Sequence, residues 1–254
     1  PVHVYGKPCD MPTLYNLCQD YGLVLFEDCC EAMGADFDGK PVGYGADVAT
    51  FSFYFSHHVT TLEGGMVVTH DHDTADMLRI QRSHGWLRDS DREVPEGFDR
   101  KFCFVELGYN FRLTEVQAAI GLCQLPKLDG IVERRRAAHR MYGEALRDVP
   151  YLRFQKENGK SSCFGFSIVL DGAPFSVTEL RQHLESRGIE TRPIICGNIA
   201  RQPVMAKYEH RVFGDLKNAT HVMVNGFSLG CHQDVSESDI EYVADTMSEF
   251  VKSQ

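Results

Sequence analysis

Residues 52–65, S-F-Y-F-S-H-H-V-T-T-L-E-G-G, gather side chains that can move protons and bind anions: Ser52, Ser56, His57, His58, Thr60, Thr61 and Glu63. Imidazole changes charge near neutral pH, so a histidine pair among hydroxyls is a candidate general base. Gly64 and Gly65 free the backbone for tight geometry at the end of the stretch. Acids cluster in E-D-C-C-E-A-M-G-A, with Asp28 and Glu31. An amide donor, Asn110, sits in L-G-Y-N-F-R. Arg192, Asn198 and Arg201 share G-I-E-T-R-P-I-I-C-G-N-I-A-R-Q-P, and guanidinium groups bind phosphate through paired hydrogen bonds. Each group also has a plain structural reading. His57 and His58 suit a hairpin with solvated rings, Asp28 a helix N-cap, Asn110 a turn, and the arginines the surface. The run T-H-D-H-D at 69–73 reads as metal ligands or, more simply, as a turn whose acids cap the next helix.

Several elements must hold these groups. Residues 48–54 and 66–69 are apolar and β-prone, which makes the histidine stretch the loop between two strands. Residues 23–26 form a near-continuous apolar run, as expected of a parallel strand buried on both faces. That run ends in Glu27-Asp28, and ligands of open α/β sheets sit at the carboxyl ends of strands. Ahead of it lie a short strand at 1–6 and a helix at 11–21 with Leu14, Leu17 and Cys18 on one side. Asp10 is the N-cap and Pro12 lies in the first turn. Strand, helix and strand make a right-handed βαβ unit. Residues 36–45 are a turn region, 74–81 a helix and 88–101 an exposed loop. Helical periodicity then covers 114–125, ending near Pro126, and 128–147. Beyond Tyr151 come a strand at 164–170 and a helix at 178–187, opened by a Ser176/Glu179 capping box and closed by Gly188. Strand-like residues 189–195 and a capped amphipathic helix at the end complete an α+β module. The division is therefore 1–127, a bridging helix at 128–150, and 151–254.

Composition narrows the function. A formal net charge of −10 disfavours nucleic-acid and anionic-membrane partners, which need basic patches. Nine cysteines without a C-x-x-C pair suggest neither a disulfide framework nor a zinc site, and no metal is expected. Reduced thiols, no apolar run of membrane-spanning length and no signal-peptide pattern give a cytoplasmic expectation. The chain opens at Pro1 on V-H-V-Y without a Met and reads as the latter part of a longer protein.

The histidine stretch resembles the cofactor-lysine segment of the DegT/DnrJ/EryC1/StrS family of PLP-dependent sugar enzymes, usually S-F-x-P-x-K-N-x-x-x-x-E-G-G. Ser52 matches the phosphate-binding serine and Glu63-Gly64-Gly65 the E-G-G, while His57 takes the lysine position and Phe55 that of the proline. The pair His57-His58 resembles the NDP-4-keto-6-deoxyhexose 3-dehydratase branch. E-D-C-C-E-A-M-G-A is similar to the family's E-D-x-x-x-A-x-G-A, R-S-H-G-W to its R-x-H-G loop, and L-G-Y-N-F-R to a third motif. The G-N after T-R also resembles the dehydratase branch. The family's N-terminal region has no counterpart in these residues.

The resemblance implies an α/β chain of PLP-dependent transferase fold type I, aspartate aminotransferase-like, with a mostly parallel sheet in a partial large domain and a small α+β C-terminal domain. It implies that Asp28 pairs with the pyridine nitrogen of the coenzyme and that Glu31 lies near its phenolic oxygen. Ser52 and His58 contact the coenzyme. Asn110 reaches a partner's coenzyme phosphate, so the protein is a homodimer with shared sites. Arg192, Asn198 and Arg201 meet a nucleotide-sugar. Imidazole cannot replace the Schiff-base amine, so pyridoxamine 5′-phosphate (PMP) or pyridoxal 5′-phosphate (PLP) is held without a covalent bond. PMP then joins the C4 ketone of a nucleotide-linked 4-keto-6-deoxyhexose, His57 takes the C4′ proton, and the C3 hydroxyl leaves. A separate reductase is a possible partner. The alternatives are an aminotransferase of the same family and a non-catalytic cofactor-binding homologue.

Overall fold

The computed structural model describes residues 1–254, which divide into two compact units. The first comprises Pro1–Val4, Pro8–Asp129 and Asn158–Lys160; the second comprises Tyr5–Lys7, Gly130–Glu157 and Ser161–Gln254.

In the first unit the elements run α1 (Met11–Tyr21), β1 (Phe26–Asp28), β2 (Asp36–Phe37), β3 (Lys40–Pro41), β4 (Val48–Ser52), β5 (Gly65–Thr69), α2 (His72–Arg82) and α3 (Glu115–Gln124). Asp10 caps α1 as expected, its carboxylate accepting the Thr13 N–H. Asp71 caps α2 through Thr74 N–H, so an acid of the 69–73 run serves the helix. Thr114 and Gln117 close a capping box at α3.

The sheet has the order β1-β4-β5, with β1 parallel to β4 and β4 antiparallel to β5. It is therefore mixed, where the resemblance implied a mostly parallel sheet. The 1–6 strand is also corrected: Val2 makes a single parallel bridge to Asp28, and Val4–Gly6 form a tight turn. The expected strand at 23–26 shifts forward to Phe26–Asp28, and only one of its faces is covered. Leu25, Glu27 and Cys29 are buried, whereas Val24 is 75% and Phe26 49% exposed. Strand side chains alternate, so an apolar run covered on one face keeps every second residue inside. Leu25, Cys29, Ala32, Ala35, Val42 and Ala49 make the core on that face.

The second unit holds α4 (Leu128–Ala145), β6 (Leu152–Phe154), β7 (Gly165–Leu170), α5 (Val177–Ser186), β8 (Thr191–Pro193), α6 (Lys217–Asn225), β9 (Gly226–Gly230) and α7 (Glu237–Lys252). Its antiparallel sheet has the order β6-β7-β9-β8. Ser176 with Glu179 and Ser236 with Asp239 box the starts of α5 and α7. Phe166, Ile168, Phe227 and Leu229 from the sheet pack with Leu180 and Leu184 of α5 and Ile240 and Met247 of α7 in one core.

Candidate functional site

Asp28 and Ser52 end neighbouring parallel strands. Asp28 lies level with Thr50 on β4, and Ser52 follows two residues beyond. The side chains of both are half-buried. One oxygen of the Asp28 carboxylate, Oδ1, accepts the Cys30 N–H at 3.0 Å, leaving Oδ2 open to a ligand. Ser52 Oγ accepts the Tyr54 N–H at 3.2 Å, which leaves its own O–H as a donor. Glu31 is half-buried in the turn just after Asp28.

The loop from Phe53 to Gly64 folds back on itself. Phe53 N–H donates to Gly64 O at 2.9 Å, Thr61 N–H to Phe53 O at 2.9 Å, and His57 N–H to Tyr54 O at 3.1 Å. Thr61 Oγ1 donates to Glu63 O at 2.8 Å, and Gln117 Nε2 reaches the same carbonyl from α3 at 2.7 Å. Gly64 has φ +156°, and a Cβ there would overlap Thr61 Oγ1, so the second-to-last residue of the stretch must lack one. The His57 ring is half-buried and meets the edge of Tyr54 with centroids 5.8 Å apart. His58 is 3% exposed and belongs to the interior of the loop. The two rings thus differ in exposure: His57 is half-buried and His58 is buried.

Two thiols border Asp28. Burial pushes the Cys29 thiol above its ordinary value, and burial followed by the Asp28 hydrogen bond pushes Cys30 up to about 11. Both stay protonated at neutral pH, so neither is an activated nucleophile. Lys40, the one lysine near this part of the sequence, is exposed on β3. A cleft of about 550 Å³, lined by Met11, Tyr15, Leu25, Phe37, Tyr44 and His70, contains neither His57 nor Asp28.

Asn110 is exposed, and its position is set by a zipped pair of segments. His84 N–H donates to Tyr109 O at 2.8 Å and Phe111 N–H to Arg82 O at 2.8 Å, with Ser83 bridged to Asn110 between them. Gly85, at φ +83°, lies so close to this segment that a Cβ would overlap Glu106 O. The Arg112 Nε–H donates to Asn110 Oδ1 at 3.1 Å, leaving the amide N–H groups of Asn110 as donors.

In the second unit, Arg192 on β8 is exposed and paired with Glu190 at 2.5 Å. Arg201 is exposed at the end of a short turn, Ile199–Arg201. Asn198 caps the same turn. It is 4% exposed, its Oδ1 accepts the Ala200 N–H at 3.1 Å, and its Nδ2 donates to Thr220 Oγ1 at 3.0 Å. Those bonds fix its amide against the turn and leave one Nδ2–H as a donor.

Two residues beneath the site went unassigned in the sequence. Glu27 is 1% exposed, and its Oε2 accepts the His3 Nε2–H at 2.9 Å and the Gly43 N–H at 2.7 Å. Burial would raise this carboxyl, but the hydrogen bonds from His3 and Gly43 hold it below its ordinary value. The alternation that turns Asp28 outward turns Glu27 inward, which was readable. The partner, 24 residues away, was not.

The model of the DegT/DnrJ/EryC1/StrS aminotransferase family matches residues 1–248. A GDP-4-keto-6-deoxy-D-mannose 3-dehydratase of Yersinia pseudotuberculosis is 35% identical over 93% of this chain and 63% of its own. A GDP-perosamine synthase of Caulobacter vibrioides is 32% identical over 96% of this chain and 63% of its own. Among solved structures, the Escherichia coli GDP-4-keto-6-deoxy-D-mannose-3-dehydratase with bound hydrated PLP aligns with a TM-score of 0.92 and 34% identity, covering 97% of this chain and 66% of that one. The chain thus spans somewhat under two thirds of the length of the first of these relatives. Its fold is that of the PLP-dependent transferases of fold type I, as the motifs implied. Motifs, fold and family model agree, and the chain belongs to the DegT/DnrJ/EryC1/StrS aminotransferase family.

Proposed function

We propose that the protein is a PMP/PLP-dependent 3-dehydratase of a nucleotide-linked 4-keto-6-deoxyhexose, in deoxysugar and lipopolysaccharide biosynthesis, with His57 as its base. One observation carries this reading: a half-buried imidazole stands where the family pattern has its lysine, on a closed loop at the edge that also holds Asp28. The residues present suit the coenzyme. Asp28 has an open carboxylate oxygen for a pyridine N–H, and Ser52 has a hydroxyl proton for a phosphate oxygen. When bound, the coenzyme supplies the amine that captures a ketone and a ring that withdraws electrons.

The chain's residues do the rest. Asp28 holds the ring nitrogen protonated, because a carboxylate beside it favours the cation. Glu31, in the turn after Asp28, would face the phenolic oxygen of the bound coenzyme. His57 takes the proton from C4′ and returns one to the oxygen leaving C3. A base whose ordinary pKa is close to neutral can do both. Arg192 exchanges Glu190 for the diphosphate of the nucleotide, and Arg201 supports it. Asn198 holds the turn that carries Arg201 and offers its remaining amide N–H to the nucleotide-sugar.

A homodimer completes the site. Support comes from the apolar side chains exposed around Asn110: Leu107 at 89%, Phe111 at 71% and Val116 at 69%. Asn110 lies among them and donates to the partner's coenzyme phosphate. The 3-deoxy-4-keto product retains a ketone, so a reductase is the partner enzyme that would consume it. No helix is long and apolar enough to cross a membrane, and nine free cysteines fit a reducing, cytoplasmic setting.

Amine transfer is the second reading, favoured by the relatives named GDP-perosamine synthase. Incubating the chain with PMP and GDP-4-keto-6-deoxymannose, followed by mass spectrometry of the sugar, separates the two. Loss of the C3 oxygen is expected. Nitrogen at C4 with the oxygen retained would give the site to amine transfer.

A further inference from the structure

Residues 1–3 fasten the strand end that carries Asp28. The Asp28 N–H donates to Pro1 O at 2.9 Å, and the His3 N–H donates to Asp28 O at 3.1 Å. On the opposite edge Asp28 pairs with Thr50, and the Cys29 N–H donates to Thr50 O at 2.9 Å. The backbone around Asp28 is thus gripped from both sides.

The side chain of His3 adds a second grip one residue back. It is 0% exposed, its Nδ1 accepts the Cys9 N–H at 3.0 Å, and its Nε2–H donates to Glu27 Oε2. Gly43 N–H meets the same oxygen from the turn before β4. One imidazole and one carboxylate therefore join three segments: the loop ahead of α1, the end of β1 and the 43 turn. Cys29 Sγ lies 3.9 Å from that oxygen, so a histidine, a carboxylate and a thiol come within 4.8 Å of one another. A metal is not needed to explain them, because Oε2 already takes two N–H donors and all three side chains are shut from solvent.

Glu27 and Asp28 are consecutive and point to opposite faces. Fixing the inward carboxylate fixes the direction of the outward one. Without His3, a buried carboxylate would lose one of its two N–H donors, and the strand end would have to shift to find another. A shift of about 1 Å at a site of this kind is enough to spoil its geometry.

We propose that His3, acting through Glu27, is a positioning residue that aims the Asp28 carboxylate at the ring nitrogen of the bound coenzyme. The proposal rests on the coenzyme-binding reading given above. It concerns hydrogen bonds and not the charge of Glu27, and this separates it from a general electrostatic effect. Glutamine at position 3 has an N–H and a carbonyl with which to span Glu27 and the Cys9 N–H. Leucine offers neither, and asparagine keeps an acceptor for Cys9 but falls short of Glu27.

The test uses the full chain and PMP labelled with ¹⁵N at the pyridine nitrogen. Its readouts are the dissociation constant and the ¹⁵N shift, with circular dichroism and urea midpoints reporting folding. His3→Leu, or His3→Asn if the leucine variant does not fold, is expected to bind about tenfold more weakly, roughly 1.4 kcal/mol. Its ¹⁵N signal should move toward that of the unprotonated ring. His3→Gln and Glu27→Gln should stay close to the unaltered chain. A folded His3→Leu or His3→Asn chain with unchanged affinity and unchanged ¹⁵N shift overturns the positioning role. So does a Glu27→Gln chain that loses pyridine protonation, because charge would then be the cause. If the unaltered chain binds no PMP, the functional reading fails and this inference falls with it.

Discussion

His57 carries the chemistry in this account, and its replacement by lysine is the sharpest change a single residue offers. A His57→Lys chain should capture PLP covalently, and borohydride should then fix the coenzyme to the polypeptide in the intact mass. The unaltered chain, treated alike, should show no such addition. Beneath the site, Glu27 predicts an acid sensitivity. Its carboxyl titrates below its ordinary value of 4.5, so the stability it contributes is complete above that pH and is lost as pH falls through the lowered value. Thermal melts of Glu27→Gln should therefore fall less steeply in acid than those of the unaltered chain. The residue roles were only partly legible in the sequence. His57 stood out because imidazole replaced an expected amine within an otherwise matching pattern. The burial of Asn198 and its two hydrogen bonds were not legible, because a motif shows which residue is present and not what surrounds it.

Elements with their own end signals were the most readable. Asp10 with Pro12, the Ser176/Glu179 box and the closing Gly188 all mark helix ends through local chemistry, and the helices lie within a residue or two of those marks. Strand β9 was missed. Its Gly226–Gly230 run is short and flanked by glycines, and it becomes a central strand only through partners β7 and β8. Cap energetics can be measured directly. Ser236→Ala should cost about 1 kcal/mol in urea unfolding, since it removes the acceptor for Asp239 N–H at the start of α7. The Gly85→Ala substitution should be far worse, because a Cβ there meets the Glu106 carbonyl and the residue sits at φ +83°. Helix α4 carries a pH signal of its own. Burial lowers His139, whose ring lies 4.9 Å from that of Phe166, to about 4. The unfolded chain gains this proton near its ordinary value of 6.5 and the folded chain does not. Stability should therefore drop by up to about 3 kcal/mol as pH falls from 6.5 to 4, and His139→Phe should flatten that part of the urea-midpoint profile.

On the scale of the whole molecule, the exposed apolar belt around Asn110 and the one-sided cover of β1 set what must be measured in solution. Light scattering should give twice the 28.7 kDa chain mass, and Leu107→Glu should return it to the monomer value while leaving the circular dichroism unchanged. The most direct test of the account pairs native and denaturing mass spectrometry of the full chain after incubation with PMP or PLP and borohydride. The expected result is coenzyme mass on the native protein that disappears completely on denaturation. Coenzyme that survives denaturation, or a native protein that carries none, would contradict it.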